Sequence, residues 1–508
     1  MNSLKFLIAI VLFSCLIPFV HSQTKVTLVQ GETFKPEKNA EYKGALGGDD
    51  EIFYILRIKK KGVGTKYFVE AYDKKSFAQK FSVDLALDAI PGAQTDPAKF
   101  VVNSIAVPGK VYVFLGTYFK DVKEKEYLLI SVDKNGAVSK EKSLMKIAAD
   151  NDEGKFQMSI SPDRKKIALV SSVKYEDVPQ EVNVSIHDAV TFEQIKKFQL
   201  PKSYGRGSIF SLNYIIDNTG SFYFSFNYLN SSDQVGLAIG MIPAANNQMK
   251  TLELNLGSTK EVYNGLIKFN DHDNSVTIAG MFRDIIEWEG KYKDKPERKM
   301  GFFSYKIKAE NFSVIKKTNQ YFNKDVYNNL KYYPSDLPGD KYFVAEDIFA
   351  IGKDNYFVAS HSYTVVDPYL KYDVSNEIIV VKITDEGDID WMKLVPKFTS
   401  VKVFAFNSAV INGKLHFLYL EHPQNLKWHP DIEKYNNSKR ESIRDYAGTR
   451  AVCVSIDSSG KMERNMFYEN YGMFYLPNKY NYLLDGDNGL LMHFIRGSSE
   501  MFGKVVIK

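Results

Sequence analysis

Residues 378–393 read IIVVKITDEGDIDWMK. An apolar, β-branched run gives way to four carboxylates, Asp385, Glu386, Asp388 and Asp390, and Trp391 follows at once. Such a cluster could hold a cation, supply an acid/base pair, or only turn the chain between two strands. Two other stretches decide among these readings. LISVDKNGAV (129–138) and VSIDSSGKM (454–462) repeat the same order of apolar run, acid and glycine. Gly136, Gly387 and Gly460 supply the backbone freedom that a tight hairpin needs. The DEGDID segment is therefore one copy of a repeated element, and its acids decorate a turn.

The repeat extends along the chain. Short apolar runs flanked by turn residues begin at 51 (EIFYIL), 111 (VYVFLG), 166 (KIALVS), 221 (SFYFSF), 275 (SVTIAG), 355 (NYFVAS), 414 (KLHFLY) and 489 (GLLMHF). Their spacings are 60, 55, 55, 54, 80, 59 and 75 residues. Before each run stands a tight turn and another apolar segment, as in SISPDRKKIALV and NYIIDNTGSFYF. After it, beyond a variable loop, come a third strand and often a fourth. The chain also carries 35 Phe and 32 Tyr, residue types that suit half-buried pleated surfaces. One such sheet cannot cover its own two faces, but sheets packed side by side bury one another.

The predicted fold is thus all-β: a β-propeller of about eight four-stranded blades, with seven allowed by the two longest intervals. The last unit lacks a strand of its own. FGKVVIK would be its third, and KVTLVQGETF, near the start of the chain, would supply the fourth and close the ring.

The first 22 residues have the form of a signal peptide: Lys5, then the apolar run FLIAIVLFSCLIPFV (6–20), then Val20-His21-Ser22 before Gln23. Cys15 in LFSC resembles a lipoprotein box, but bulky Phe13 and further apolar residues beyond Cys15 favour soluble export. Residues 23–508 then form a single propeller domain with no transmembrane segment, exported to the periplasm, the outer membrane or the exterior. One cysteine remains, Cys453 within RAVCVSI, which reads as a small buried hydrophobe. Sixty-six basic and 61 acidic side chains nearly cancel and are interspersed, which argues against nucleic acid as a partner.

Two blade patterns resemble known families. FQMSISPDRKKIALVSS (156–172) resembles the S-P-D-G-K-x-I/L signature of TolB-type and dipeptidyl-peptidase-type propellers, with Arg164 where glycine is usual. IIVVKITDEGDIDWMKLV resembles the hairpin of quinoprotein-like and secreted bacterial propeller repeats, an apolar run followed by D-x-x-G and Trp. These resemblances cover isolated blades and imply the fold without an activity.

Turns between first and second strands are all short: VPGK, SPDRKK, DNTG, NDHDN, IGKDN, INGK, DGDNG. Long insertions, read at 283–299, 316–341, 361–377 and 421–450, fall at the opposite end of blades five to seven. Long loops without secondary structure are often functional. The predicted binding face therefore comprises Trp288, Tyr292, Tyr363, Tyr369, Tyr372, Trp428, His429, Tyr435 and Tyr446, aromatics among charges as in protein interfaces and sugar platforms. The bland alternative is that these rings hold the loops onto the blades.

His361, His422 and His429, with Asp367, Glu421 and Asp431, lie at this end too, but no pair has the i, i+4 spacing of helical ligation. DGDNG (485–489) and DNDEG (150–154) resemble acidic calcium loops without the closing bidentate acid, and turn chemistry accounts for them better. No cofactor is expected beyond that weak calcium signal. Gly-x-Ser-x-Gly and the phosphate-binding loop are both absent. The sequence leans away from an enzyme. It predicts a protein-binding or scaffold subunit of the cell envelope, the alternative being a glycan-binding or glycan-cleaving propeller.

Overall fold

Each of the eight apolar runs is the second strand of a four-stranded antiparallel sheet. The computed structural model describes residues 24–508 apart from 62–63, 88–98, 149–154, 174–180, 202, 205–206, 209, 230–234, 258, 285–298, 325, 327–341, 368–369, 399–405, 436–440, 442, 444–447, 470–473, 476–482 and 485–488; some strand side chains, 362–376 among them, are likewise not described. Ala40–Gly48, Ile52–Lys61, Gly64–Asp73 and Gln79–Asp84 pair in that order as blade one. Blades two to seven repeat the meander and begin at Phe100, Lys155, Phe210, Lys260, Tyr342 and Asn407.

Blade eight is assembled from both ends of the chain. Its inner edge is Phe474–Tyr475 and Leu483–Leu484, followed by Gly489–Arg496 and Ser499–Ile507. Its outer strand is Val26–Gln30, which runs antiparallel to Ser499–Ile507 with Val26 opposite Ile507 and Gln30 opposite Gly503. The ring therefore closes as the sequence predicts, and eight is the blade number.

Packing follows the same period. Eight apolar clusters each join two neighbouring blades. Tyr223, Ile239 and Met241 of blade four, for instance, meet Val276, Ile278 and Phe303 of blade five. Strands in this setting are buried on both faces, so Ser275–Asp284 has eight successive buried residues rather than an alternation. Burying a Phe such as Phe222, Phe224 or Phe226 contributes about 1.5–3 kcal/mol. Cys453 is one of these buried residues, and desolvation pushes its thiol up to about 12.

The DEGDID segment is the turn between the third and fourth strands of blade six. Thr384 N–H donates to Asp388 O (2.9 Å), Gly387 N–H donates to Thr384 O (2.9 Å), and Gly387 sits at φ 89°. Its acids face lysines of the preceding blade: Lys316 Nζ lies 2.8 Å from Asp388, and Lys306 donates to the Asp385 carbonyl. On the other side Trp391 Nε1 donates to Ser458 O of blade seven at 3.2 Å. The turn is a stitch between three blades.

The first-to-second turns stitch the ring as well. Arg164, at φ 57°, takes the left-handed conformation where the related signature has glycine, and it donates to Ala106 O of blade two at 2.9 Å. On the next side Asp163 N–H donates to Asn218 Oδ1 of blade four. Gly109 N–H to Asp49, Asn270 to Gly352 O and Asn412 to Ile507 O repeat the pattern, so turns at the short-turn end are engaged with neighbouring blades.

Candidate functional site

Three long connections leave the opposite end of blades five and seven: Asp284 to Met300 and Tyr321 to Tyr342 in and after blade five, and Glu421 to Arg450 in blade seven. A fourth, Asp84 to Phe100, leaves blade one and was not singled out in the sequence reading. The segment 361–377 differs from its expected form. It continues the second and third strands of blade six as Asp354–Asp367 and Leu370–Ile383, paired from Asn355–Ile383 to Asp367–Leu370. The β-branched run Tyr363–Val366 sustains the ladder, so this insertion is a hairpin extension rather than a loop.

The Glu421–Arg450 connection carries a short α-helix, Pro423–Trp428, with Pro423 in its first turn and the His422 side chain accepting from Gln424 N–H. A 3-10 turn, Ile432–Lys434, follows, capped by Asp431. Beneath them lies a group of buried charges from several strands. Glu421 Oε1 accepts from His422 N–H (3.0 Å) and Asn425 Nδ2 (2.7 Å), and Arg464 Nη1 stands 3.8 Å from its other oxygen. Asn425 in turn bonds both backbone groups of Glu441. Burial raises the Glu421 carboxyl above its usual range, against Arg464 and Asn425.

Blade six contributes the rest of the group. His361 Nδ1 is 3.3 Å from Glu377 Oε2, and both side chains are about 1% exposed. Ser360 Oγ donates to Glu346 Oε1 at 2.6 Å. Lys397, on the link from blade six to blade seven, is buried; desolvation pushes its ammonium down to about 8 against the pull of Glu377, Glu346 and Glu421. Charges this deep persist where they are mutually paired, and removing one partner strands another. The arrangement anchors the helix and Glu441 of the long connection to the blade tops. The sequence placed His361 and Glu421 at this end but did not pair them with Glu377, Lys397, Asn425 or Arg464, because the members come from separate blades; the further visible signal was charge beside apolar stretches, as Glu377 before IIVV and Glu421 after FLYL.

The predicted face resolves unevenly. His429 is 6% exposed, caps the helix C-terminus and packs its ring 4.4 Å from Tyr435, so it serves the loop's own packing rather than an outer surface. Trp428 and Tyr435 are half-buried. Tyr363 and Tyr372 stand on the hairpin of blade six, opposite Val374 and Val365. Trp288, Tyr292, Tyr369 and Tyr446 lie outside the described residues, as do DNDEG and most of DGDNG. Among the described residues no three His, Cys, Asp or Glu side chains converge as a metal set. His422, Glu421 and Asp431 are instead engaged in capping this connection.

No sequence family and no characterised protein matches the chain by sequence. Solved structures similar in fold include the Dos1 propeller (TM-score 0.46, 10% identity, covering 94% of each chain). The β-propeller domain of the Trilobed protease from Pyrococcus furiosus is another (TM-score 0.35, 10% identity, covering 85% of this chain and 99% of that one). The polysaccharide lyase Uly1 is a third (TM-score 0.39, 9% identity, covering 83% and 94%). At such identities the likeness is one of fold. The sheet order and the pairing of the two chain ends define the class: an eight-bladed β-propeller closed by its two chain ends. No helix among the described residues is long and apolar enough to cross a membrane.

Proposed function

We propose that this is an exported, non-catalytic β-propeller that binds a protein partner of the cell envelope through the long-connection end of blades five to seven. The observation that carries this reading is the asymmetry of the ring. One end is consumed by short turns that stitch blade to blade. The other presents long connections in blades five and seven, one of them clamped by the buried group around Glu421, Asn425 and Arg464. A rigid scaffold carrying variable loops is how propellers present binding surfaces. Export rests on the leader-like first 22 residues. The reading gives the protein no cofactor and no nucleic-acid partner.

The test is a cross-linked pull-down of the tagged protein from its own cell envelope, read by mass spectrometry. A single abundant envelope protein should be recovered, and lost when 430–447 is replaced by a short linker or when Trp288 and Trp428 are changed to Ala. Recovery that is indifferent to these changes would refute the face.

A further inference from the structure

A cleft of about 610 Å³ opens where blade eight meets blade one, at the same end as the long connections but outside the face described above. Ligand sites commonly occupy roughly 300–1,000 Å³. One wall is the chain entering blade one, from Pro36 to Lys43; the other is the second-to-third hairpin of blade eight, with His493, Ser498 and Glu500. The two walls thus come from opposite ends of the sequence.

The charges of this cleft are already matched to one another. Glu500 receives both terminal nitrogens of Arg57 at 3.0 Å, Glu41 lies 2.7 Å from Lys43, and Glu37 accepts from Lys59. Lys38, exposed at the rim, is the one cation of the lining with no acid among the described residues. What remains to read a ligand is a set of hydrogen-bonding groups, most of them uncharged. His493 is 5% exposed and its Nε2 lies 3.2 Å from Glu500 Oε2, which fixes the ring with a proton on Nε2. Its Nδ1 has no partner among the described residues and is left free to bond a ligand. Tyr42 lies against that ring with centroids 3.9 Å apart, and its hydroxyl is likewise without a partner among the described residues. Asn39 and Ser498 add an amide and a second hydroxyl.

We infer that the cleft between blades eight and one is a binding site for a neutral, hydroxyl-rich ligand, a sugar residue or short neutral oligosaccharide. Acceptors and donors stand side by side there, beside an aromatic ring, and the paired charges leave no net field to select a strongly ionic ligand. A ligand bridging the two walls also joins the chain ends, so its binding favours the closed ring over the open one.

The test is titration calorimetry and thermal melting of the full chain with cellotetraose, maltotetraose, xylotetraose and mannotetraose, against tetragalacturonate and the chitosan tetramer as acidic and basic probes. At least one neutral tetrasaccharide should bind at one site with a Kd below about 1 mM and raise the melting temperature. Tyr42→Ala should weaken it about tenfold or more and Tyr42→Phe several-fold, both with the far-UV circular dichroism of the parent. Trp428→Ala, on the partner face, should leave sugar binding unchanged, so this site and that face stand or fall separately. Absence of binding by every neutral probe, tighter binding of tetragalacturonate through Lys38, or indifference to both Tyr42 variants would overturn the assignment.

Discussion

Replacing Arg57 with Met should destabilise the ring by about 3–5 kcal/mol at pH 7, because it strands two buried carboxylates at the closure seam. Arg57 is 2% exposed, and it donates from Nε to Glu70 and from both terminal nitrogens to Glu500, each at 3.0 Å. Tyr72 Oη adds a bond to Glu70 at 2.8 Å, and the aromatic cluster of Phe53, Tyr72, Phe77 and Phe502 seals the group from one side. The pH dependence follows from Glu500. Burial alone would raise its carboxyl, but hydrogen bonds from His493 and Arg57 override that and hold it below the usual range. A depressed acid contributes stability that is present above its unfolded value and is lost as pH falls through the folded value. Without Arg57 that contribution shrinks and the Glu500 carboxyl protonates more readily. The deficit of the variant should therefore be greatest at pH 7 and shrink toward pH 5. Urea unfolding followed by far-UV circular dichroism at both pH values measures it. A loss under about 1 kcal/mol, or one equal at both pH values, refutes the reasoning. Arg57→Met with Glu70→Gln and Glu500→Gln together should recover most of the stability, since no charge is then left unpaired.

Deleting residues 24–30 exposes the unpaired edge of Ser499–Ile507 and should lower the melting temperature and promote association, seen by light scattering after size exclusion. Gly387→Ala should cost more than Gly413→Ala. Both sit at positive φ, but a Cβ at Gly387 would lie 2.8 Å from Lys316 Cβ, whereas one at Gly413 meets nothing within 4 Å. The difference should exceed about 1 kcal/mol by thermal melting. Arg164→Gly should be more stable than Arg164→Ala by about 1 kcal/mol, since both lose the bond to Ala106 O and only glycine is relieved at φ 57°. Burial pushes His187 and His416 down to about 4, so the unfolded chain takes up protons first and stability should fall as pH drops from about 6.5 toward 4. Their imidazole resonances should stay untitrated until near pH 4; midpoints near 6.5 would contradict that burial.

The architecture was legible because it is written in local periods. Every second strand was named by an apolar run, and the glycine of each of three hairpins marks a turn whose geometry tolerates little else, with Gly136, Gly387 and Gly460 all at φ between 82° and 89°. The pairing of KVTLV with VVI followed from a missing strand, which is a deficit visible in a repeat. The hairpin extension of blade six was not legible because 361–377 mixes polar and charged residues with Tyr363–Val366, whose ladder exists only against Lys371–Val374 of the facing strand.

The sites were not legible for a different reason. Arg57 and Glu500 are 443 residues apart, and nothing near either one names the other. A ring brings its ends together: the closure inside blade eight, between Val26–Gln30 and Ser499–Ile507, is made by a backbone ladder, and side chains at the neighbouring seam with blade one reinforce it. That seam has the aromatic cluster around Phe502, an ion pair reinforced on both sides, and a cleft whose two walls meet only when the ring is closed. A ligand there reports closure directly. For that reason the seam, rather than the conspicuous acids of DEGDID, is where binding and folding of this chain are coupled.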